Sequence, residues 1–146
     1  MKVPESVLVV IYTPALDVLL LERVDHPGFW QSVTGSLEPG DADLVASCAR
    51  EVEEETGFIA NRPQLDDWHL EHRYPIFPQW RHRYAPSVTH NTEHVFGLGV
   101  DHRFEPRLEL REHRAYRWLP WRDAADVCFS WTNAAAIREL SHRARR

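Results

Sequence analysis

Residues 50–57 read Arg50-Glu51-Val52-Glu53-Glu54-Glu55-Thr56-Gly57, four glutamates within five positions, closed by a glycine. The stretch ends a longer segment in which Leu44, Val45, Cys48 and Val52 recur at three- and four-residue steps. That stripe marks an amphipathic helix from about residue 43, with Asp41 or Asp43 able to cap its start and Gly57 placed to end it. At roughly 100° per residue, Glu51 and Glu55 share one face a turn apart, and Glu54 lies on the same side as Glu51. Arg50 reaches Glu54 at the four-residue spacing, while Val52 and Cys48 point to the core. Like charges so placed repel by roughly a few tenths of a kcal/mol per pair, so something must offset them. A divalent cation is the natural candidate, because Mg²⁺ prefers carboxylate oxygens and bridges to phosphates. The plain alternative is a solvated acidic face.

On either side of the helix the period changes. Residues 7–12 (VLVVIY) are continuous and largely β-branched, the pattern of a buried strand. Thr13-Pro14 breaks it, and residues 17–23 (DVLLLER) read as its hairpin partner. Residues 29–33 are a short third strand and residues 34–40 (TGSLEPG) a glycine loop. Beyond the helix, residues 65–72 and 74–77 are weaker strands interrupted by Pro75 and Pro78, residues 92–100 a clearer one, and residues 115–119 alternate as another. Residues 121–127 and about 132–143 read as helices, with a basic tail suited to a helix C-terminus. The whole is a mixed α/β or α+β sandwich of sheet and helix, not a doubly wound repeat.

Composition narrows the function. The 146 residues fit a single domain spanning 1–146. Hydrophobic residues make up 43% and charged residues 27%, an ordinary globular balance. The formal net charge of -5 disfavours a general nucleic-acid binder. Most of that deficit is local: without the four glutamates, 18 acidic residues would face 17 Lys+Arg. Cys48 and Cys128 form no CxxC pair, the nine histidines include no HExxH, and His69 and His72 fall on opposite faces of a strand, so neither a disulfide framework nor a His/Cys metal site is expected. No apolar run reaches a membrane span or a signal h-region, which makes the cytoplasm the expected compartment.

Gly35, Glu38-Pro39-Gly40 and then residues 50–58 resemble the Nudix box, with Gly35, Arg50, Glu51, Val52, Glu54, Glu55 and Gly57 in the order of that motif. The resemblance implies a Nudix-type α/β/α sandwich with a mixed central sheet, binding a divalent metal and cleaving phosphoanhydrides. The interval from Gly35 to Arg50 is one residue longer than usual, and Asp41 or Asp43 stands where an acidic residue is expected. Further runs at residues 29–36, 82–86, 88–89, 91–93, 112–119 and 130–133 are similar to a bacterial branch of the family that converts a pterin triphosphate to its monophosphate and diphosphate in folate synthesis.

From the resemblance, Glu51, Glu55 and Glu112 are the expected metal ligands for Mg²⁺, with Mn²⁺ able to substitute. Glu54 is named as base, with Glu51 and Glu112 left as alternatives. Lys2, Arg23, Thr34, Tyr74, Phe77, Arg83, His113 and Ser130 are the expected substrate contacts. Arg side chains suit phosphate, and the cation–aromatic mixture at residues 72–84 suits a flat hydrogen-bonding ring. The expected partner is a small-molecule triphosphate, with no nucleic acid and no membrane, acting on a monomer or homodimer. Hydrolysis of damaged or surplus nucleotides, or a catalytically dead nucleotide-binding module, are the alternatives the box alone leaves open.

Overall fold

The computed structural model describes residues 1–143. In chain order these form β1 (Glu5–Tyr12), β2 (Asp17–Arg23), β3 (Trp30–Gln31), β4 (Val33–Ser36), α1 (Leu44–Thr56), β5 (Leu65–Pro75), β6 (His90–Gly99), β7 (His113–Pro120), α2 (Trp121–Val127), α3 (Trp131–Arg138) and α4 (Leu140–Arg143), with 3-10 turns at Arg62–Gln64 and Pro78–Arg83. The unbroken apolar run of β1 is central. It pairs in parallel with β6 along its length, and β6 pairs antiparallel with the edge strand β5. Both faces of β1 are covered, which is why it shows no polar alternation. Val7, Val9 and Ile11 pack with Leu19, Leu21 and Phe96 against Cys48 and Val52 of α1. Leu8 and Val10 pack with Val18, Leu20 and Val95 against Ala124 of α2 and Ala136 and Ile137 of α3. Each fully buried aliphatic side chain contributes roughly 1.5–3 kcal/mol, so one strand anchors both layers. The result is a seven-stranded mixed sheet between helices, the expected α/β/α sandwich.

The other edge of β1 forks. Near the hairpin it meets β2 at Tyr12↔Val18, but farther along it pairs instead with β4, from Val9↔Val33 to Ser6↔Ser36. β2 runs on with β7 on one side and β3 on the other. The third strand expected over residues 29–33 therefore divides at Ser32. The cause lies in α3: Asn133 Oδ1 accepts the Ser32 N–H at 2.8 Å, and Asn133 Nδ2 donates to Ser32 Oγ at 3.1 Å. With its backbone donor held there, Ser32 is where the chain leaves β2 and joins β1. Residues 34–36, expected in a loop, belong to β4.

Two further expectations change. The weak strands at 65–72 and 74–77 are one strand, β5, with a bulge between Asp67 and Leu70 where His69 takes φ 52°. Pro75 is tolerated because β5 is an edge strand, and residues 76–77 have left the sheet. His69 and His72 do face opposite sides, one exposed and the other half-buried. The last helix divides around Glu139 into α3 and α4. The end of the basic tail, residues 144–146, lies outside the described residues.

Trp68, almost fully buried, lies flat on Gly97 of the neighbouring strand β6. A Cβ at Gly97 would come within 2.5 Å of the indole ring. Gly97→Ala should therefore destabilise the protein by about 1–3 kcal/mol, the usual cost of overpacking, as read from urea denaturation. An unchanged midpoint would show that the ring is free to move aside.

Candidate active site

The capping of α1 fixes where its acidic face points. Asp43 is the cap, its Oδ1 accepting the Ala46 N–H at 2.8 Å, and Gly57 at φ 78° ends the helix. Asp41 holds Arg50 instead: Nε donates to Oδ1 at 3.0 Å and Nη2 to Oδ2 at 2.9 Å. That guanidinium keeps the Asp41 carboxyl well below the usual carboxylate range. Arg50 also donates to the Ser36 carbonyl at 3.1 Å and approaches Glu38 at 3.0 Å, Glu51 at 3.4 Å and Glu54 at 3.5 Å. The Arg50–Glu54 pair expected from the spacing thus exists, as the longest of these contacts.

Cys48 and Val52, fully buried, turn Glu51 and Glu55 into the protein beside β4. Glu51 lies directly on Gly35, where a Cβ would fall 1.5 Å from its Oε2. Only glycine permits that approach. Burial pushes the Glu51 carboxyl up to about 8, with Arg50 opposing and Glu54 and Glu112 adding to the rise. Glu55 is 2% exposed; burial, then Glu51 and Glu112, raise its carboxyl well above the ordinary value. Its Oε1 has no hydrogen-bond partner. His113 Nδ1, also without a partner, stands 4.0 Å away. Burial pushes His113 down to about 4, so the ring is neutral near pH 7. Gln31 Nε2 meets its Nε2 at 3.1 Å, which leaves the ring proton on Nδ1, toward Glu55.

One cavity of about 910 Å³ occupies the fork in the sheet. All twelve side chains singled out in the sequence line it: Lys2, Arg23, Thr34, Glu51, Glu54, Glu55, Tyr74, Phe77, Arg83, Glu112, His113 and Ser130. Several already have partners. Arg23 makes a bidentate pair with Asp25, both bonds 2.8 Å, and its guanidinium lies 4.6 Å over the Trp80 ring. Arg83 reaches the same Asp25 at 3.4 Å. Partial burial and then the Arg83 and Arg23 charges lower the Lys2 pKa. Ser130 caps α3, its Oγ accepting from Thr132 and Asn133. Tyr74 accepts from Asn91 through its hydroxyl at 3.1 Å.

The cavity also holds Asp25, Trp80 and Phe129, which no expectation from the sequence covered, and Gln31, Asn91, Glu93 and Asn133, which lie in family-like runs but had no assigned role. Asn91 and Glu93 had a usable signal, since they continue the inward alternation of Val95 along β6 with polar side chains. Phe129 had none: it stacks on Phe29 at 3.5 Å between centroids, across 100 positions of sequence.

Chemically, Glu51, Glu55 and Glu112 offer only hard oxygen donors, and the unpartnered Glu55 Oε1 fits a divalent cation. Among the described residues no three such groups already close on one point. That suits an ion that completes its shell with water and phosphate oxygens.

The protein-family profile for the NUDIX domain matches residues 2–140. The chain is 45% identical over 142 residues to the Escherichia coli (strain K12) protein named dihydroneopterin triphosphate diphosphatase, covering 95% of this chain and 93% of that one. It is 39% identical over 145 residues to the Haemophilus influenzae protein of the same name, covering 97% and 90%. The solved structure of the E. coli dihydroneopterin triphosphate pyrophosphohydrolase superposes with a TM-score of 0.88 at 41% identity, covering 99% of this chain and 98% of that one.

A raised carboxyl pKa has a definite sign in stability. Glu51 contributes fully below its ordinary value of 4.5, and the contribution is lost as pH rises through about 8. A cation on the carboxylates reverses that loss. The rise in Tm on replacing EDTA by excess Mg²⁺ should therefore be larger at about pH 8.5 than at about pH 6, as read by scanning calorimetry. Equal rises at both would place the cation away from Glu51.

Proposed function

This chain belongs to the Nudix hydrolase family, and we propose that it converts 7,8-dihydroneopterin 3'-triphosphate to the 3'-monophosphate and diphosphate, a step of folate synthesis. The observation that carries the reading is the single forked cavity, which gathers every side chain expected for this chemistry. Two relatives at 45% and 39% identity that bear the corresponding name support it. Nudix hydrolases generally use divalent metal ions. Mg²⁺ is the ion proposed here, with Mn²⁺ as a substitute, held by Glu51, Glu55 and Glu112. When bound, such an ion neutralises phosphate charge and makes a nearby water more acidic.

The chain's own residues do the rest. Lys2, Arg23 and Arg83 bind the triphosphate, and Arg23 and Arg83 exchange Asp25 for phosphate oxygens as the substrate enters. Thr34 and Ser130 supply polar contacts at the cavity wall, and Tyr74 and Phe77 bound the ring. The attacking water loses its proton to Glu54, which stays half-exposed at the edge of the cavity. The bond broken is the α–β phosphoanhydride, and the second and third phosphates leave together. His113, neutral and with its Nδ1 4.0 Å from Glu55 Oε1, closes the cavity wall beside that carboxylate. The whole chain is read as one domain working on a small molecule in the cytoplasm, as a monomer or homodimer. No described helix is long and apolar enough to cross a membrane.

Two measurements test the proposal. A panel of the pterin triphosphate and the common dNTPs, assayed for diphosphate and for orthophosphate, should show diphosphate release with the pterin preferred. Faster turnover of ordinary dNTPs would leave a nucleotide-directed Nudix hydrolase in its place. Glu55→Gln should lower kcat by roughly a thousandfold, several kcal/mol of lost charge stabilisation, while the circular dichroism spectrum stays unchanged. Undiminished turnover would remove Glu55 from the metal site.

A further inference from the structure

The metal-directed carboxylates explain one face of the cavity, not the other. Glu51 and Glu55 stand on the α1 face of the sheet, whereas Asn91 and Glu93 project from β6 on the α3 face, in line with Val95. Glu93 is 4% exposed and Asn91 2%, yet both line the cavity. Asn91 has spent its donors, Nδ2 bonding Ser6 Oγ at 2.7 Å and the Tyr74 hydroxyl at 3.1 Å. Its Oδ1 is left without a partner, and so is Glu93 Oε1. The nearest cationic candidate, His72 Nδ1, is 3.8 Å from Glu93, beyond a hydrogen bond, and is itself unpartnered. A buried acceptor left unmade costs about 1–3 kcal/mol, and more when charged, so two in one cavity imply a ligand that brings donors.

The chemistry of those donors is specific. Two acceptors set two residues apart on one face of β6, in one cavity, suit a ligand that carries neighbouring N–H groups. A 2-amino-4-oxopyrimidine edge presents them, a ring N–H beside an exocyclic amine, whereas adenine and cytosine set a ring acceptor beside the amine. Pterins and guanine share that edge. We propose that Glu93, assisted by Asn91 Oδ1, reads the 2-amino-4-oxopyrimidine edge of the substrate's ring and is the residue that selects it. The proposal rests on the pterin reading above and deepens it by locating the ring on the α3 face, across the fork from the phosphates.

The test compares dGTP with dITP, which differ only in the exocyclic amine. Each is used as its α,β-methylene analogue, which cannot be cleaved at the α–β bond, and Kd values are measured by calorimetry on the full chain with excess Mg²⁺. The parent protein should bind dGTP at least about tenfold more tightly, the size of one hydrogen bond to a charged acceptor. In Glu93→Gln, a near-isosteric change, that ratio should collapse toward one. A melting curve taken alongside shows whether the variant is folded, and the dGTP/dITP comparison on the parent protein is independent of any variant. Equal affinities in the parent protein, no measurable binding of either nucleotide, or an undiminished ratio in Glu93→Gln overturns the proposal. Failure of the pterin reading is seen elsewhere, in the turnover panel, and the dGTP/dITP ratio survives it.

Discussion

Arg50 is the contact on which the site depends. Its guanidinium sits between α1 and the loop before it, bonded to Asp41 through two nitrogens and to the Ser36 carbonyl at the end of β4. A planar cation with five donors can satisfy a carboxylate and a carbonyl at once, which a lysine cannot. Helix, loop and strand are thereby fixed relative to one another. That fixing keeps Gly35 under the Glu51 carboxylate and keeps two buried glutamates near a third carboxylate from another segment. This framework holds the cluster together, and Arg50 relieves only part of the repulsion within it. The raised pKa of Glu51 and the orphaned oxygen of Glu55 are the measure of what remains for a ligand to offset.

The fork in the sheet does the second part of the work. A regular sheet would seal β1 against β2 along their length and leave two separate surfaces. Because the chain changes partner at Ser32, pinned by Asn133, the cavity passes from the α1 face to the α3 face. An elongated substrate with a highly charged end and a flat polar end can then place each in a different environment. The carboxylates of Glu51 and Glu55 enter from α1, while Phe77, Trp80 and Phe129 form an aromatic wall of the same cavity, with Arg23 lying over the Trp80 ring.

Much of this was legible in the residues. The continuous apolar run of β1 announced burial on both faces, and the stripe of Cys48 and Val52 fixed which side of α1 carries Glu51 and Glu55. What was not legible was set by distant partners. Nothing near Ser32 signals that Asn133 will take its backbone N–H and split a strand. The choice between Asp41 and Asp43 turns on where Arg50 lands, a tertiary fact. Pro75 looked like a break because a proline is tolerated only at an edge, and edge position is a property of the whole sheet. Asn91 and Glu93 stand in a run similar to the family and continue the inward alternation of Val95, but a role for them follows only from the cavity they line.

The bulge in β5 bears on solubility as well as on shape. An edge strand is a template for another chain to add to, and such addition needs a flat run of free backbone groups in register. Here His69 at positive φ interrupts the register after Asp67, and Pro75 at the far end offers no N–H at all. Between them the outward side chains Glu71 and Arg73 are exposed and charged. The register of this edge is thus broken at one end and closed at the other, and the charges on the stretch between them disfavour the addition of another strand.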